Sequence, residues 1–130
     1  MEADVKNKQK NIMILLAEDE ELYQEIISQY IDSIGFKMTV VNNGKQCINE
    51  LMNKPYDLIL MDIEMPEKNG LETTREIRKK GISIPIIAVT SNTWKEDEIK
   101  SLKSGMNDFL AKPFNAKTLA KKIEYWGNAL

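Results

Sequence analysis

A chain of 130 residues is long enough for one domain with a full hydrophobic core, and nothing in its length requires a second. Its formal net charge is −2 with acidic and basic residues interspersed, so no basic stripe predicts nucleic-acid binding and no polybasic cluster predicts membrane attachment. The absence of histidine excludes Ser-His-Asp hydrolysis, a histidine-ligated zinc site and a phosphohistidine within this chain.

The polar start of the chain and its single cysteine exclude further classes. No apolar run approaches the roughly 18 residues of a membrane-spanning helix, and the first residues do not resemble a signal peptide. We therefore expect a cytoplasmic protein in which residues 1–10 form a flexible tail and residues 11–130 form the domain. Cys47 is the only cysteine, which excludes an internal disulfide and a multi-cysteine metal site, and its setting predicts a small buried apolar residue.

Apolar runs of strand length alternate with segments of helical period, a pattern typical of repeated βαβ units around a parallel sheet. The predicted strands, in chain order, are Ile12 to Ala17, Phe36 to Val41, Asp57 to Met61, Ile84 to Val89 and about Asn107 to Ala111. The predicted helices between and after them run from about Glu20 to Ile34, from the turn or cap Asn42-Asn43-Gly44, from Gly70 to Lys80, from the capping box Thr93 to Glu96, and from the cap Asn115.

The apolar stripes of these helices predict which side chains face the sheet. In the first helix they are Leu22, Ile26, Ile27, Tyr30, Ile31 and Ile34. In the third and last helices they are Leu71, Thr74 and Ile77, and Leu119, Ile123 and Trp126. The stripe of the fourth helix is thin, chiefly Trp94, Ile99 and Leu102, so we expect this helix to be the most mobile.

Four of the predicted strands end at a charged or hydroxyl residue. Taken singly, Glu18-Asp19 reads as a helix start, Asp62 as a turn acid, Thr90 as a strand-end hydroxyl and Lys112 as a solvated lysine. Because the carboxyl ends of parallel strands lie along one edge of a sheet, where ligands bind in such folds, we expect these four positions to converge.

Clustered carboxylates repel one another, so this arrangement calls for a compensating cation. Oxygen ligands without histidine or cysteine favour a hard cation, and a few carboxylates with room for water and phosphate favour Mg²⁺ over Ca²⁺. A divalent ion, an ammonium and a hydroxyl around one acid suit phosphoryl transfer, with Asp62 as the nucleophile.

The chain resembles the receiver domain of two-component response regulators, which have the chemotaxis-regulator-like fold. The matching motifs appear in the family's order and cover roughly Asn11 to Trp126; they are Ile14 to Asp19, Asp57 to Pro66 with Gly70, Ile86 to Ser91, and Phe109 to Phe114. The resemblance implies a doubly wound (βα)5 three-layer sandwich of the flavodoxin-like type, with a five-stranded parallel sheet of order 2-1-3-4-5. Met65-Pro66, Thr90-Ser91-Asn92 and Ala111-Lys112-Pro113 are most similar to receivers attached to hybrid histidine kinases.

The resemblance also implies a role for each site residue. Asp62 would accept a phosphoryl group, and Mg²⁺ would be bound by Asp19, Asp62 and the backbone carbonyl of Glu64, with Glu18 acting largely through water. Lys112 would pair with Asp62 and with the phosphoryl oxygens, Thr90 would donate a hydrogen bond to them, Phe109 would change rotamer with the state, and the Lys112-Pro113 bond would be cis. Two positions depart from the commonest pattern, because Glu18 replaces an aspartate and Phe109 lacks the hydroxyl of a tyrosine switch.

The implied partner is a histidine kinase or a histidine phosphotransfer domain, with no nucleic acid, membrane or small-molecule substrate beyond phosphodonors. Its docking surface would include Leu22, Pro113 and Phe114, with the acids Glu20 and Glu21 setting orientation. For Leu22, core packing on the first helix is an equal alternative. The domain would not be an enzyme beyond catalysing its own phosphorylation and dephosphorylation.

Three other functions fit the sequence less well. A degenerate receiver would bind partners without phosphorylation, but such domains usually lose an acid or the lysine. A haloacid-dehalogenase-like phosphatase needs a second aspartate two residues after the nucleophile, where this chain has Glu64. A flavodoxin-like electron carrier needs a phosphate-binding loop after the first strand, where Glu18 to Glu20 would repel phosphate.

Overall fold

The computed structural model describes residues 11–91 and 95–127, and in these residues five strands alternate with five helices. The strands are β1 (Met13–Ala17), β2 (Lys37–Val41), β3 (Leu58–Asp62), β4 (Ile86–Thr90) and β5 (Asp108–Ala111). The helices are α1 (Glu21–Ile34), α2 (Gly44–Asn53), α3 (Gly70–Lys79), α4 (Lys95–Ser104) and α5 (Ala116–Gly127).

The five strands form one parallel sheet in the order β2-β1-β3-β4-β5, which confirms the predicted fold. Helices cover both of its faces. Ile14 and Leu16 of β1 belong to the core beneath α1 and α5, whereas Leu15 and Ala17 belong to the core beneath α2 and α3. Because β3 and β4 are buried along their whole length, both faces need apolar side chains, and their sequences are nearly continuous apolar runs.

Side-chain caps and left-handed residues set several helix ends. The side-chain oxygens of Asn43, Asn69 and Asn115 accept hydrogen bonds from backbone N–H groups three residues later, at 2.9, 2.9 and 2.8 Å. These bonds satisfy donors that a helix start leaves without an intrahelical partner. Gly35 and Gly105 end α1 and α4 at φ values of 97° and 114°, a conformation that glycine adopts at no steric cost.

The beginning of the sheet and the end of the last helix are in contact. A Cβ atom added at Gly127, the final residue of α5, would lie 2.7 Å from Cδ1 of Ile12, immediately before β1. The two segments therefore meet at the amino edge of the sheet.

Two side chains of the predicted stripe of the fourth helix are exposed, and those predictions were wrong; Leu22, for which the sequence left core packing and docking open, is exposed as well. Leu22 is 61% exposed, because the buried face of α1 runs through Ile27 and Ile31 and position 22 lies beside that face. Ile99 and Leu102 of α4 are 44% and 51% exposed. The buried side chains of α4 are instead serines, so small hydroxyl groups rather than apolar ones face its neighbours α3 and β5.

Some predicted boundaries shift by one or two residues. Phe36 lies outside β2 because its backbone N–H donates to the carbonyl of Ile31 and completes the end of α1. The fourth strand begins at Ile86 instead of Ile84, since Pro85 between them has no N–H group to donate. The predicted tail 1–10, together with Thr93 and Trp94, lies outside the described residues.

Candidate functional site

The ends of four strands bring polar and charged side chains to the carboxyl edge of the sheet. Glu18 directly follows β1, Asp62 and Thr90 are the last residues of β3 and β4, and Lys112 directly follows β5. The register places Asp62 beside Val89, one residue before Thr90. The backbone N–H of Lys112 donates to the carbonyl of Thr90 at 2.8 Å, which ties the loop after β5 to the end of β4.

Three carboxylates lie together at this edge. Glu18 is fully buried and Asp62 is 5% exposed, whereas Asp19 is open to solvent. One oxygen from each lies within 4.8 Å of the others. Burial first, and then the charge of Glu18 and a hydrogen bond with it, raise the pKa of Asp62 to about 8. The folded chain therefore resists a second buried negative charge beside Glu18.

Lys112 supplies positive charge, but nearer to Glu18 than to Asp62. Its Nζ donates to Oε1 of Glu18 at 2.7 Å and lies 4.0 Å from Oδ1 of Asp62, and its side chain is 7% exposed. Burial acts to lower the pKa of Lys112, yet the hydrogen bond to Glu18 and the charge of Asp62 raise it above its usual value. The sequence predicted a pair with Asp62; in this structure the closer partner is Glu18.

This donor set fits a hard divalent cation. Glu18, Asp19 and Asp62 offer only oxygen atoms, and exposed Asp19 leaves one side of the cluster open to water. Mg²⁺ binds through few carboxylates and keeps several waters, which matches this arrangement. The backbone N–H of Glu64 donates to Oδ1 of Asp62 at 3.3 Å, so the loop that carries Glu64 also orients the central carboxylate.

Gly70 holds the loop after β3 against the start of α3. Its N–H donates to the carbonyl of Ile63 at 2.8 Å. A Cβ at position 70 would lie 2.3 Å from the carbonyl oxygen of Asp62 and 2.9 Å from Cα of Ile63. Only glycine allows this approach, so the helix start fixes the backbone on which Asp62 lies. On the other side of the site, the Lys112-Pro113 peptide bond is cis.

The ring of Tyr23, on the first turn of α1, is a neighbour of the site that sequence reasoning missed. The Nζ atom of Lys112 lies 4.2 Å from the ring centroid. The only signal in the sequence is an aromatic residue soon after the acidic pair, and it gives no indication of which strand end the ring contacts. Phe109, the predicted switch residue, is half-buried and packs against the core beneath α2 and α3.

Cys47 takes no part in this site. It is fully buried among apolar residues, and burial raises the pKa of its thiol to about 12. This burial confirms the prediction of a small buried apolar residue. A thiol with so high a pKa is protonated and therefore unreactive.

A family model described as the response regulator receiver domain matches residues 14–124. The chain belongs to this family. A hybrid signal transduction histidine kinase from Dictyostelium discoideum is 43% identical in an alignment of 119 positions that covers 85% of this chain and 7% of the kinase. The chain thus spans a small part of this relative.

Solved structures agree with this assignment. The receiver domain of a sensor histidine kinase from Pseudomonas aeruginosa, with a magnesium ion coordinated in its active-site cleft, has a TM-score of 0.85 and 38% identity, covering 92% of this chain and 99% of that one. The co-crystal structure of the Saccharomyces cerevisiae histidine phosphotransfer protein Ypd1 with the receiver domain of Ssk1 gives a TM-score of 0.83 and 30% identity, covering 90% and 89%.

The receiver is therefore a signalling domain of the two-component type, a class that works in phosphorelays with Mg²⁺. None of the described helices is both long and apolar enough to cross a bilayer.

Proposed function

We propose that this receiver accepts a phosphoryl group from a partner phosphohistidine onto Asp62, with Mg²⁺ held by Glu18, Asp19, Asp62 and the carbonyl of Glu64. A carboxylate oxygen of Asp62 forms the new P–O bond as the P–N bond breaks, and the electron pair of that bond returns to the imidazole. The observation that carries the proposal is the buried carboxylate pair of Asp62 and Glu18, with exposed Asp19 beside it and the Lys112 ammonium 4.0 Å from Asp62.

Lys112 and Thr90 would stabilise the transferred group. Lys112 lies between the two buried carboxylates, so its ammonium can leave Glu18 for a phosphoryl oxygen without crossing solvent. Thr90 is the last residue of β4, the strand that pairs with β3 beside Asp62, and its hydroxyl would donate a hydrogen bond to the same group. Bound Mg²⁺ would offset the negative charge that accumulates on these oxygens. The chain would catalyse only its own phosphorylation and dephosphorylation.

Labelling with a small acyl phosphate tests the acceptor. We expect acetyl phosphate to add one phosphoryl group in the presence of Mg²⁺, and Asp62→Asn to abolish labelling because the amide lacks the nucleophilic charge. Intact-mass spectrometry measures the product. Mg²⁺-dependent labelling that persists in Asp62→Asn would remove Asp62 from this role, and a wild-type chain that is never labelled would be a phosphorylation-independent binding module.

The metal ligands are tested by Mg²⁺ titration. We expect Asp19→Ala to weaken Mg²⁺ affinity more than Glu18→Ala, because Glu18 is already neutralised by Lys112 at 2.7 Å. A larger loss in Glu18→Ala would reverse the assignment of direct and water-mediated ligands.

The proposed partner is a histidine kinase or a histidine phosphotransfer domain, as the kinase relative and the Ypd1 complex support. It would approach the rim formed by the start of α1 and the loop after Lys112. On that rim Glu20, Glu21 and Leu22 are exposed, and Pro113 is exposed on the opposite side. Phe114 is half-buried and packs edge-on against Tyr30 with ring centroids 6.1 Å apart, so its truncation would also disturb packing.

Docking is therefore best tested with Leu22→Ala combined with Glu21→Lys. We expect this variant to slow transfer from a phosphorylated phosphotransfer domain at least about tenfold, while acetyl phosphate labels it at the wild-type rate. Tyr125→Ala, which removes an aromatic side chain 69% exposed on the last turn of α5, is the matched surface control. Equal losses with both donors would indicate misfolding, and no loss with either would place the docking surface elsewhere.

A further inference from the structure

Lys112 is held from a third side by the ring of Tyr23. Its Nζ lies 4.2 Å from the ring centroid, in addition to 2.7 Å from Glu18 and 4.0 Å from Asp62. Tyr23 is half-buried and packs against the core beneath α1 and α5, so its ring is fixed by the fold. We infer that Tyr23 is a positioning residue for phosphoryl transfer, which keeps the Lys112 ammonium between the two buried carboxylates. This inference deepens the proposed function and rests on it.

The need for such a residue follows from the lysine itself. A lysine carries its charge on a flexible four-carbon stem with rotatable donors, so a single ion pair does not fix its position. Glu18 alone, at 2.7 Å, would draw the ammonium away from Asp62. The ring supplies an additional attraction, with its centroid 4.2 Å from Nζ.

An aromatic ring suits this site better than another acid would. The ring face attracts an ammonium through its quadrupole without adding a net negative charge. A fourth carboxylate would increase the repulsion that already raises the pKa of Asp62. The ring also leaves the hydrogen-bonding protons of Lys112 available for phosphoryl oxygens.

A positive charge already in place costs no rearrangement when negative charge develops on the transferred group. Lys112 needs only a short movement from Glu18 towards a phosphoryl oxygen on Asp62, because its Nζ is already 4.0 Å from that carboxylate, and the ring would limit larger movements. A cation–π contact that is largely removed from solvent contributes enough to change a rate about fivefold. We therefore expect Tyr23→Leu to lower the rate of phosphorylation by acetyl phosphate about fivefold at saturating Mg²⁺.

A fluorination series separates charge from shape. Phenylalanine at position 23 keeps the ring, so Tyr23→Phe should retain nearly the wild-type rate. Replacing that phenylalanine with mono-, di- and trifluorinated analogues withdraws negative charge from the ring face with little change in size. We expect the rate to fall stepwise with each fluorine, while Mg²⁺ affinity stays constant because the ring is not one of the proposed ligands of the metal.

Tyr30→Leu is the matched structural control. Tyr30 is also half-buried on α1, but it packs against Phe114 rather than Lys112. This variant should lose thermal stability much as Tyr23→Leu does, and should be labelled at the wild-type rate. If Tyr23→Leu and Tyr30→Leu lose rate equally, Tyr23 is a packing residue and the inference is overturned.

The outcomes also distinguish the positioning role of Tyr23 from the proposed phosphorylation of Asp62. Unchanged rates across the fluorinated variants, with normal labelling of the wild type at Asp62, overturn the role of Tyr23 alone. A wild-type chain that acetyl phosphate never labels, or labels elsewhere than Asp62, overturns the proposed function and the role of Tyr23 with it.

Discussion

At the scale of single residues, Asp62 lies where the fold opposes its ionisation. Burial and Glu18 raise its pKa from 3.8 to about 8. Between those pH values the folded chain keeps a proton that the unfolded chain releases, so stability falls as pH rises from about 4 to about 8. The acceptor site therefore costs stability at neutral pH when no cation is bound.

Asp62→Asn should remove that cost. In metal-free buffer at pH 7 we expect the variant to have a free energy of unfolding more than about 1 kcal/mol above the wild type, with the difference vanishing below about pH 4. Denaturant titrations across this pH range measure it. Mg²⁺ should stabilise the wild type more than the variant, since it binds the folded carboxylate cluster. A variant less stable than the wild type at pH 7 would contradict this account of Asp62.

Gly70 allows a second prediction at this scale. Gly70→Ala forces a methyl group against the backbone of Asp62 and Ile63, so we expect a loss of about 2 kcal/mol in stability and weaker Mg²⁺ binding by the folded protein. Gly44→Ala is the control for steric crowding away from Asp62, because its methyl group would meet the Thr73 hydroxyl at 1.9 Å and the carbonyl oxygen of Lys68 at 3.1 Å, rather than the backbone of Asp62 and Ile63. The control should lose stability and keep its Mg²⁺ affinity. Equal affinities in the two variants would show that the loop tolerates displacement.

At the scale of elements, Arg78 at the end of α3 joins three segments. Its Nε donates to the carbonyl of Gly105 at 2.9 Å, and Nη1 donates to the carbonyls of Ile82 and Ile84 at 2.9 and 2.8 Å. Nη2 donates to Oδ1 of Asn107, which also accepts the N–H of Ile86. The end of α4 and the starts of β4 and β5 thus share one guanidinium.

Arg78→Met should separate these segments. The variant keeps an apolar stem but leaves several carbonyls without their donor, so we expect a loss of about 3 kcal/mol in stability. Amide exchange measured by NMR should accelerate most at Ile86, whose N–H depends on the position of Asn107. Arg75→Met, an exposed arginine on the same helix, should change neither quantity. If Ile86 keeps its protection in Arg78→Met, the guanidinium is not what joins the segments.

The attachment of α4 differs from that of the other helices. Its buried side chains are Ser101 and Ser104, whose hydroxyls donate to carbonyls of their own helix at 2.8 and 2.6 Å. Little apolar area is therefore buried beneath α4, and displacing it forfeits little hydrophobic free energy. We still predict that this helix is the most mobile. The structural reason is its buried serines, whereas the sequence-based reason was a thin apolar stripe.

At the scale of the whole molecule, we expect phosphorylation to shift an existing equilibrium in one part of the fold. Beryllium fluoride with Mg²⁺, which mimics the phosphoryl group, should change amide exchange between Thr90 and Phe109 and leave β1 and β3 protected, because those strands are buried on both faces. Recruitment of Thr90 and Lys112 to new charge on Asp62 would drive the change. If exchange across 90–109 is unaltered, the domain acts as a phosphoryl relay without a conformational switch.

The sequence predicted the sheet and the convergence at its edge because burial on both faces demands long apolar runs. The first charge after such a run, as at Asp62 and Glu18, marks where a strand leaves the core. The sequence left open whether Leu22 packs in the core or is available for docking, because adjacent helical positions differ by about 100° and a broad apolar stripe does not fix which of its edges faces inward.

Contacts between distant parts of the chain lay beyond such reasoning. The position of Tyr23 over Lys112 depends on how α1 crosses the sheet edge, and the hydrogen bonds of Arg78 depend on three loops meeting. Helical period places Tyr23 on the same face as Ile27 and Ile31, but it does not show which strand end the ring contacts. The preference of Lys112 for Glu18 over Asp62 likewise depends on a difference of 1.3 Å between contacts of 2.7 and 4.0 Å.

The contact between Ile12 and Gly127 brings the residue before β1 next to the last residue of α5. That contact lies at the amino edge of the sheet, whereas Asp62 lies at the carboxyl edge. Ile12 and Gly127 therefore lie at the edge of the sheet opposite Asp62, the proposed phosphoryl acceptor. The same proximity allows a short linker to join the two ends, so a circular permutant opened in the exposed loop between α2 and β3 should still fold around an intact site.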